Sequence, residues 1–342
     1  MKVAKLYSST DIRIEDMPVP EPGPGEALMK TAASGICSGD LMPWYIEKKA
    51  PLVLGHEPAG VIVKTGEGIK DFKVGDRVFV HHHAPCMSCE FCGRGDYVHC
   101  PKWKGSQIAP GGIAEYILMP EINLKNDTLK LPDSISYEDA VLIEPLACVL
   151  KGIKRAGGAN VETAFIIGLG VMGALHVLAL KALGAKRVIG ADMVPFRLKK
   201  ALELGADEAI DTKGEQTLIA LKNLTGGKMA NLVICGPNSA RAMETGIRAA
   251  APGGKVVLFT PALPGEKLVL DPNEIYFNEI SIIPSYSTGP EETREALKMI
   301  EAGHVRAEML VTHRFPIEET ARAYALAREA GDSLKIIIGF QV

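Results

Sequence analysis

The sequence predicts an α/β protein of two domains, a β-rich N-terminal lobe and a doubly wound parallel sheet. Residues 163–262 alternate nearly all-apolar strand patterns with helical ones, the signature of a parallel sheet covered on both faces. The first 130 residues instead carry short strand-like runs, GVIVKTG and DRVFV, split by the turn signals EPGPGE, TGEG and VGD. The chain has 342 residues, too many for one ordinary core and enough for two.

The elements follow in order. DSISYEDAVLIEPLACVLKGIKRAGG, from residue 133, opens with an acidic, serine-capped stretch and turns apolar; it reads as helix, broken near Pro145 and closed by glycines. TAFIIGLG then reads as a buried strand, VMGALHVLALKALG as a helix and AKRVIGAD as a strand. FRLKKALELGAD is a helix, ANLVICG a strand, SARAMETGIRAAAPGG a helix and KVVLFT a strand. EISIIPSYST is expected as the last strand of this sheet. The tail holds two helices, EETREALKMIEAG and IEETARAYALAREAG, and a terminal strand, SLKIIIGFQV.

Composition excludes several classes. Hydrophobic residues make up 47% and charged residues 23%, a folded rather than disordered balance. A net charge of −3 argues against a surface built for nucleic acid or an anionic membrane. No apolar run reaches the roughly 18–20 residues of a membrane span, and the first residues lack a signal-peptide h-region. A cytoplasmic protein is expected.

Gly168, Gly170 and Gly173 form G-x-G-x-x-G directly after one predicted strand and at the start of a helix. In that context the pattern reads as a dinucleotide-binding turn of a Rossmann domain. Gly168 permits the tight turn, Gly170 lets a pyrophosphate approach the backbone, and Gly173 lets helix pack on strand. The helix start at Val171 and Met172 offers free N–H groups to phosphate. Asp192 ends the next strand, about 20 residues on, where an acid accepts hydrogen bonds from ribose hydroxyls and repels a 2′-phosphate. NAD is therefore expected over NADP, with Arg197 on the following helix near the adenine side.

Cys86, Cys89, Cys92 and Cys100 read C-x2-C-x2-C-x7-C. Four thiolates so closely spaced can close a tetrahedron around zinc, and a filled shell makes that zinc structural. Two disulfides are the alternative, and a cytoplasmic chain disfavours them. Elsewhere, Cys37 in GICSGD with His56 and Glu57 in LGHEPAG supplies cysteine, histidine and carboxylate, a set that can hold a second zinc with an open position. Glu144, in LIEPLAC, is a further acid.

GICSGD, the GHE of residues 55–57, the four-cysteine run, GGIAEY at 111–116, EPLA at 144–147 and GLGVMG occur in the order and separations of one family. Over essentially its whole length the chain resembles the zinc-dependent medium-chain dehydrogenase/reductases, and within them the sorbitol (polyol) and threonine dehydrogenase branches. The resemblance implies a GroES-like catalytic domain from residues 1–150, completed by 288–342, and a Rossmann NAD-binding domain over 151–287. Carried over by position, Cys37, His56 and Glu57 are catalytic-zinc ligands, and Glu144 approaches the metal directly or through its water. Cys86, Cys89, Cys92 and Cys100 match the structural zinc. The implied activity is NAD-dependent oxidation of a secondary hydroxyl in a polyol, cyclitol, sugar or related small alcohol. L-Threonine 3-dehydrogenase is the alternative, and a non-catalytic nucleotide-binding relative is the reading from another class. A homotetramer or homodimer is implied.

The chain departs from the family at informative places. Relatives carry a hydroxyl two residues after the first ligand and many a histidine five after it; here Gly39 and Met42 stand there. The proton leaves through Ser38 on a shifted turn, or through Glu57, Glu144 or a water chain, or the enzyme is poor on ordinary polyols. Ser285 precedes Tyr286 where the polyol branch has an arginine. His83 matches a histidine of threonine dehydrogenases and is a candidate substrate contact with Trp44 and Tyr286. His81 and His82 are expected as a polar strand end.

Overall fold

The computed structural model describes residues 1–212, 216–329 and 331–341. The chain divides into two compact units, Met1–Ala147 with Thr288–Val342, and Cys148–Ser287.

The first unit is built on a mostly antiparallel sheet, in which only the pair Val311–Pro316 and Lys335–Gly339 is parallel among the described residues. Its order runs Val311–Pro316, Lys335–Gly339, Ala27–Gly35, Pro58–Thr65, Arg77–Val80 and Thr128–Lys130, with Tyr116–Met119 also paired to Ala27–Gly35. Lys2–Ser8, Asp11–Asp16 and Leu52–Val53 form a smaller sheet. This is the GroES-like fold expected of the β-rich segment. Its C-terminal strand lies antiparallel to Ala27–Gly35, with Ile337 opposite Gly35. That register brings Lys335, from the far end of the chain, onto Gly35 and Glu57. A Cβ on Gly35 would fall 1.9 Å from the Glu57 Oε2 and 2.8 Å from the Lys335 Nζ, so only glycine fits.

The second unit is a six-stranded, wholly parallel Rossmann sheet. From edge to edge it runs Glu208–Asp211, Arg187–Asp192, Thr163–Ile167, Ala230–Cys235, Ala250–Leu258 and Ser281–Pro284. The order reverses between the central pair, the switch point at which doubly wound sheets bind ligands. Thr163–Ile167 is buried along its length, which explains its unbroken apolar run.

Three local expectations are corrected. The break near Pro145 falls earlier: one helix spans Tyr137–Ala140 and another Ile143–Arg155, with Pro145 in the first turn of the second, where a missing N–H costs nothing. The segment from 239 is helical only over Ala240–Arg248, and its AAPGG tail already belongs to the strand Ala250–Leu258. The strand Glu208–Asp211 and the helices Gln216–Leu224 and Pro272–Phe277 were not foreseen. Their sequences are short and mixed in polarity, and tertiary pairing decides them.

Candidate active site

The donor set begins where the strand Ala27–Gly35 ends. Cys37 caps the short 3-10 turn Ser38–Leu41, its Sγ accepting the Gly39 N–H at 3.3 Å. A Cβ on Gly39 would meet only that sulfur, at 3.5 Å, so space does not dictate the glycine that replaces the family's hydroxyl. His56 and Glu57 lie just before the strand Pro58–Thr65. Ligand atoms of Cys37, His56 and Glu57 lie within 4.8 Å of one another.

The surroundings of this set come from distant parts of the chain. Asp40 is buried, and its Oδ2 lies 3.4 Å from both the His56 Nδ1 and the Tyr324 hydroxyl. An acid on one ring nitrogen orients the other towards a metal. Glu57 is fully buried; its Oε2 accepts from the Lys335 ammonium, which also donates to the Ile36 carbonyl at 3.1 Å. The other carboxylate oxygen, Oε1, is buried with no hydrogen-bond partner. Burial pushes the Cys37 thiol and the Glu57 carboxyl up, Lys335 offsetting part of the latter. At His56 burial works downward, but Asp40 and Cys37 together raise the imidazole well above its usual range. An orphaned carboxylate oxygen beside a cysteine and a histidine is the environment a divalent cation satisfies, so these residues fit a catalytic zinc.

Glu144, buried in the first turn of its helix, falls in a second group. Its carboxylate and the rings of His81 and His82 bring ligand atoms within 4.8 Å of one another. His81 and His82 do stand at the end of the strand Arg77–Val80, as expected, but their burial and their grouping with Glu144 were not anticipated. His81 is fully buried and His82 partly so, because the chain leaves the strand Arg77–Val80 inward, against the helix Glu121–Asp127. His81 Nδ1 pairs with Asp127 Oδ2 at 2.7 Å, and the Asn123 amide donates to the carbonyls of His81 and His82, each at 3.1 Å. His83 packs against Trp103 with the rings tilted by 41° and centroids 4.2 Å apart, and burial lowers its imidazole to about 3. Trp44 holds its indole Nε1 buried and unpartnered, and Tyr286 in the second unit is exposed.

The four cysteines converge within 4.8 Å. Their sulfurs sit over a small core of Tyr97, Val98 and Trp103. Burial pushes the Cys92 thiol up to about 12, whereas Ser88 pulls Cys86 down to about 6. Four sulfurs over so little apolar area fit a structural zinc. Removing that metal with a chelator, or replacing Cys100 by serine, is expected to lower Tm by about 5 °C or more. Limited proteolysis should then cut first within residues 86–105; an unchanged melting curve would exclude a structural metal there.

In the Rossmann unit, Gly168 adopts φ +86°, a conformation costly for other residues. A Cβ on Gly173 would lie 2.0 Å from the Gly168 carbonyl oxygen, so helix and strand close only over glycine. Gly170 caps the helix Val171–Ala182 with extended backbone. Asp192 is buried. Its Oδ2 accepts from the Leu169 N–H at 2.7 Å, and its Oδ1 from Met193 and Val194 at 2.8 and 2.9 Å. A carboxylate offers about four acceptor positions, so about one remains for a ribose hydroxyl. Arg197 reaches back to this turn, its Nη1 3.8 Å from Asp192 Oδ2.

Asp40, Tyr324, Lys335, Asp127 and Asn123 were missed from sequence. A lysine inside the apolar run SLKIIIG was a signal for Lys335; the others gave none.

A Rossmann unit and a GroES-like unit that carries a Cys–His–carboxylate set define a class, the zinc-dependent dehydrogenases. Residues 23–133 match the alcohol dehydrogenase GroES-like domain, and residues 171–302 the zinc-binding dehydrogenase family. The chain is 32% identical over 353 residues to the sorbitol dehydrogenase of Bombyx mori, covering 99% of this chain and 98% of that one. It is 31% identical over 352 residues to the sorbitol dehydrogenase of Bacillus subtilis, covering 99% and 97%. Galactitol-1-phosphate dehydrogenase from Escherichia coli superposes with a TM-score of 0.87 at 27% identity, covering 99% of this chain and 100% of that one. The chain belongs to the zinc-dependent medium-chain dehydrogenase/reductase family, as its motifs suggested. It is an oxidoreductase acting on CH–OH groups, of the polyol dehydrogenase kind, with a zinc cofactor and an alcohol or polyol substrate. Among the described residues no helix is long and apolar enough to cross a membrane.

Proposed function

We propose that the protein oxidises a secondary hydroxyl of a polyol, cyclitol, sugar or related small alcohol with NAD. In this reading Cys37, His56, Glu57 and Glu144 serve the catalytic zinc, and the four-cysteine lobe holds a structural one. The observation that carries it is the convergence of Cys37, His56 and the orphaned Glu57 carboxylate. A zinc held by Cys37, His56 and Glu57 would supply Lewis-acid polarisation of the hydroxyl oxygen, and a nicotinamide in the Rossmann unit would supply the hydride acceptor. In that oxidation the carbon would give up hydride to the cofactor and the oxygen would give up its proton to solvent, leaving a ketone, NADH and one released proton. Asp40 fixes the His56 ring, and Lys335 orients the Glu57 carboxylate and offsets part of the cost of its burial.

The test is NADH formation by zinc-loaded protein on sorbitol, xylitol, inositols, aldoses, 2,3-butanediol, L-threonine and simple alcohols, with NADP in parallel. Turnover of a polyol or cyclitol with NAD supports the reading. Turnover confined to L-threonine favours the threonine branch, and no turnover with zinc and NAD both bound favours a binding role. Asp192 supports NAD, because a buried carboxylate repels a 2′-phosphate. Asp192→Ala is expected to raise KM for NAD by about 10–100-fold, the equivalent of about 1.5–3 kcal/mol for a charged hydrogen bond, and to narrow the preference over NADP. An unchanged cofactor ratio would remove Asp192 as the selector.

We also infer self-association through the edge strand Ser281–Pro284, which among the described residues pairs on one side only, with Ala250–Leu258. The preceding helix exposes Tyr276 and Phe277 at 76% and 77%. Sedimentation equilibrium should find a dimer or tetramer, and Phe277→Asp should shift it toward monomer. A monomeric wild type would end this inference.

A further inference from the structure

The His81–His82–Glu144 group is not explained by the donor set of Cys37, His56 and Glu57. His81 is fully buried, and its Nδ1 is held by Asp127, whose Oδ1 in turn accepts from the Thr293 hydroxyl at 2.6 Å. The opposite ring nitrogen, Nε2, is buried with no hydrogen-bond partner. A buried imidazole pinned on one nitrogen by a carboxylate and bare on the other is the arrangement of a metal-ligating histidine with its outer carboxylate. Ligand atoms of His82 and Glu144 stand within 4.8 Å of the His81 ligand atom and of each other. Two imidazoles and a carboxylate make a complete protein ligand set for a divalent transition metal with a position left open.

Charge points the same way. Asp40, Glu57, Asp127 and Glu144 are all buried in this unit, and Lys335 is the buried cation that answers Glu57. A divalent cation in this region is favoured by the negative charge of such neighbouring carboxylates. The new set adjoins the first one, since the His82 and His56 rings are 4.8 Å apart between centroids.

We propose that His81, His82 and Glu144 bind a second divalent metal ion of the zinc type beside the Cys37–His56 position. Asp127 is the positioning residue that holds the His81 ring. Glu144 is shared with the catalytic set proposed above, so the test reads metal content rather than turnover.

The full chain, loaded with Zn2+ and desalted, is expected to retain about three zinc ions, one in the four-cysteine lobe and two in this region. His81→Gln and His82→Ala should each retain about one fewer, and Asp127→Asn should weaken that ion by about 10–100-fold. Cobalt titration of the wild type supplies a readout that needs no variant. A position without sulfur ligands adds d–d absorption with no thiolate-to-cobalt charge transfer, whereas the Cys37 and lobe positions show both. A third equivalent with that spectrum supports the proposal. About two ions in the wild type, with every cobalt increment carrying charge transfer, overturns it. Absence of dehydrogenase turnover at three bound ions would count against the proposed reaction and leave this metal position standing.

Discussion

Replacing Lys335 by methionine is expected to destabilise the metal-free protein by about 3–5 kcal/mol, the usual cost of stranding one partner of a buried ion pair. Both side chains are about 1% exposed, so water does not compensate Glu57 once the ammonium is gone. The sign with pH follows from the Glu57 carboxyl, which burial raises and Lys335 lowers. Without Lys335 it rises further. A raised carboxyl contributes its stability below its unfolded value and loses it as pH rises through the folded value. The defect should therefore be smallest in acid and grow toward neutral pH. Urea unfolding near pH 5 and pH 8 measures this, and adding Glu57→Gln to Lys335→Met should recover most of the loss. A loss that does not vary with pH would mean that packing, not the ion pair, matters at Lys335. Zinc should restore part of the stability of Lys335→Met, since the cation would meet the same carboxylate.

Cys37→Ser is expected to cost about 10³-fold or more in kcat/KM, from the several kcal/mol that Lewis-acid polarisation supplies. The variant separates chemistry from fold. Cys37 caps its 3-10 turn through the Gly39 N–H, a role serine performs well. Serine is not a thiolate, so the metal loses its soft ligand. Tm should stay within a few degrees of the wild type while metal content falls by about one ion. Retained turnover with that ion absent would exclude Cys37 from the reaction. A collapse of Tm would assign it a mainly structural role.

Much of this was legible in the chain itself. The glycine turn could be read because its three positions answer local demands, a positive φ at Gly168 and a 2.0 Å approach at Gly173. The cysteine lobe could be read because its four cysteines are close in sequence and need no long-range folding to be found together. Cys37, His56 and Glu57 were nameable from residue type and motif order.

What the sequence determined by itself was the class of the protein, the alternation that makes the Rossmann sheet, and the candidate residues for metal and cofactor. The tertiary structure alone decided the company those residues keep. Lys335 reaches Glu57 because the last strand pairs antiparallel with Ala27–Gly35, and Asp127 reaches His81 across 46 residues of chain. Glu144 groups with two histidines that the sequence placed only as a polar strand end. The physical reason is common to all three. Local pattern encodes backbone geometry and which faces are buried, whereas the partner of a buried charge is set by sheet register and helix docking, which sum interactions over the whole unit.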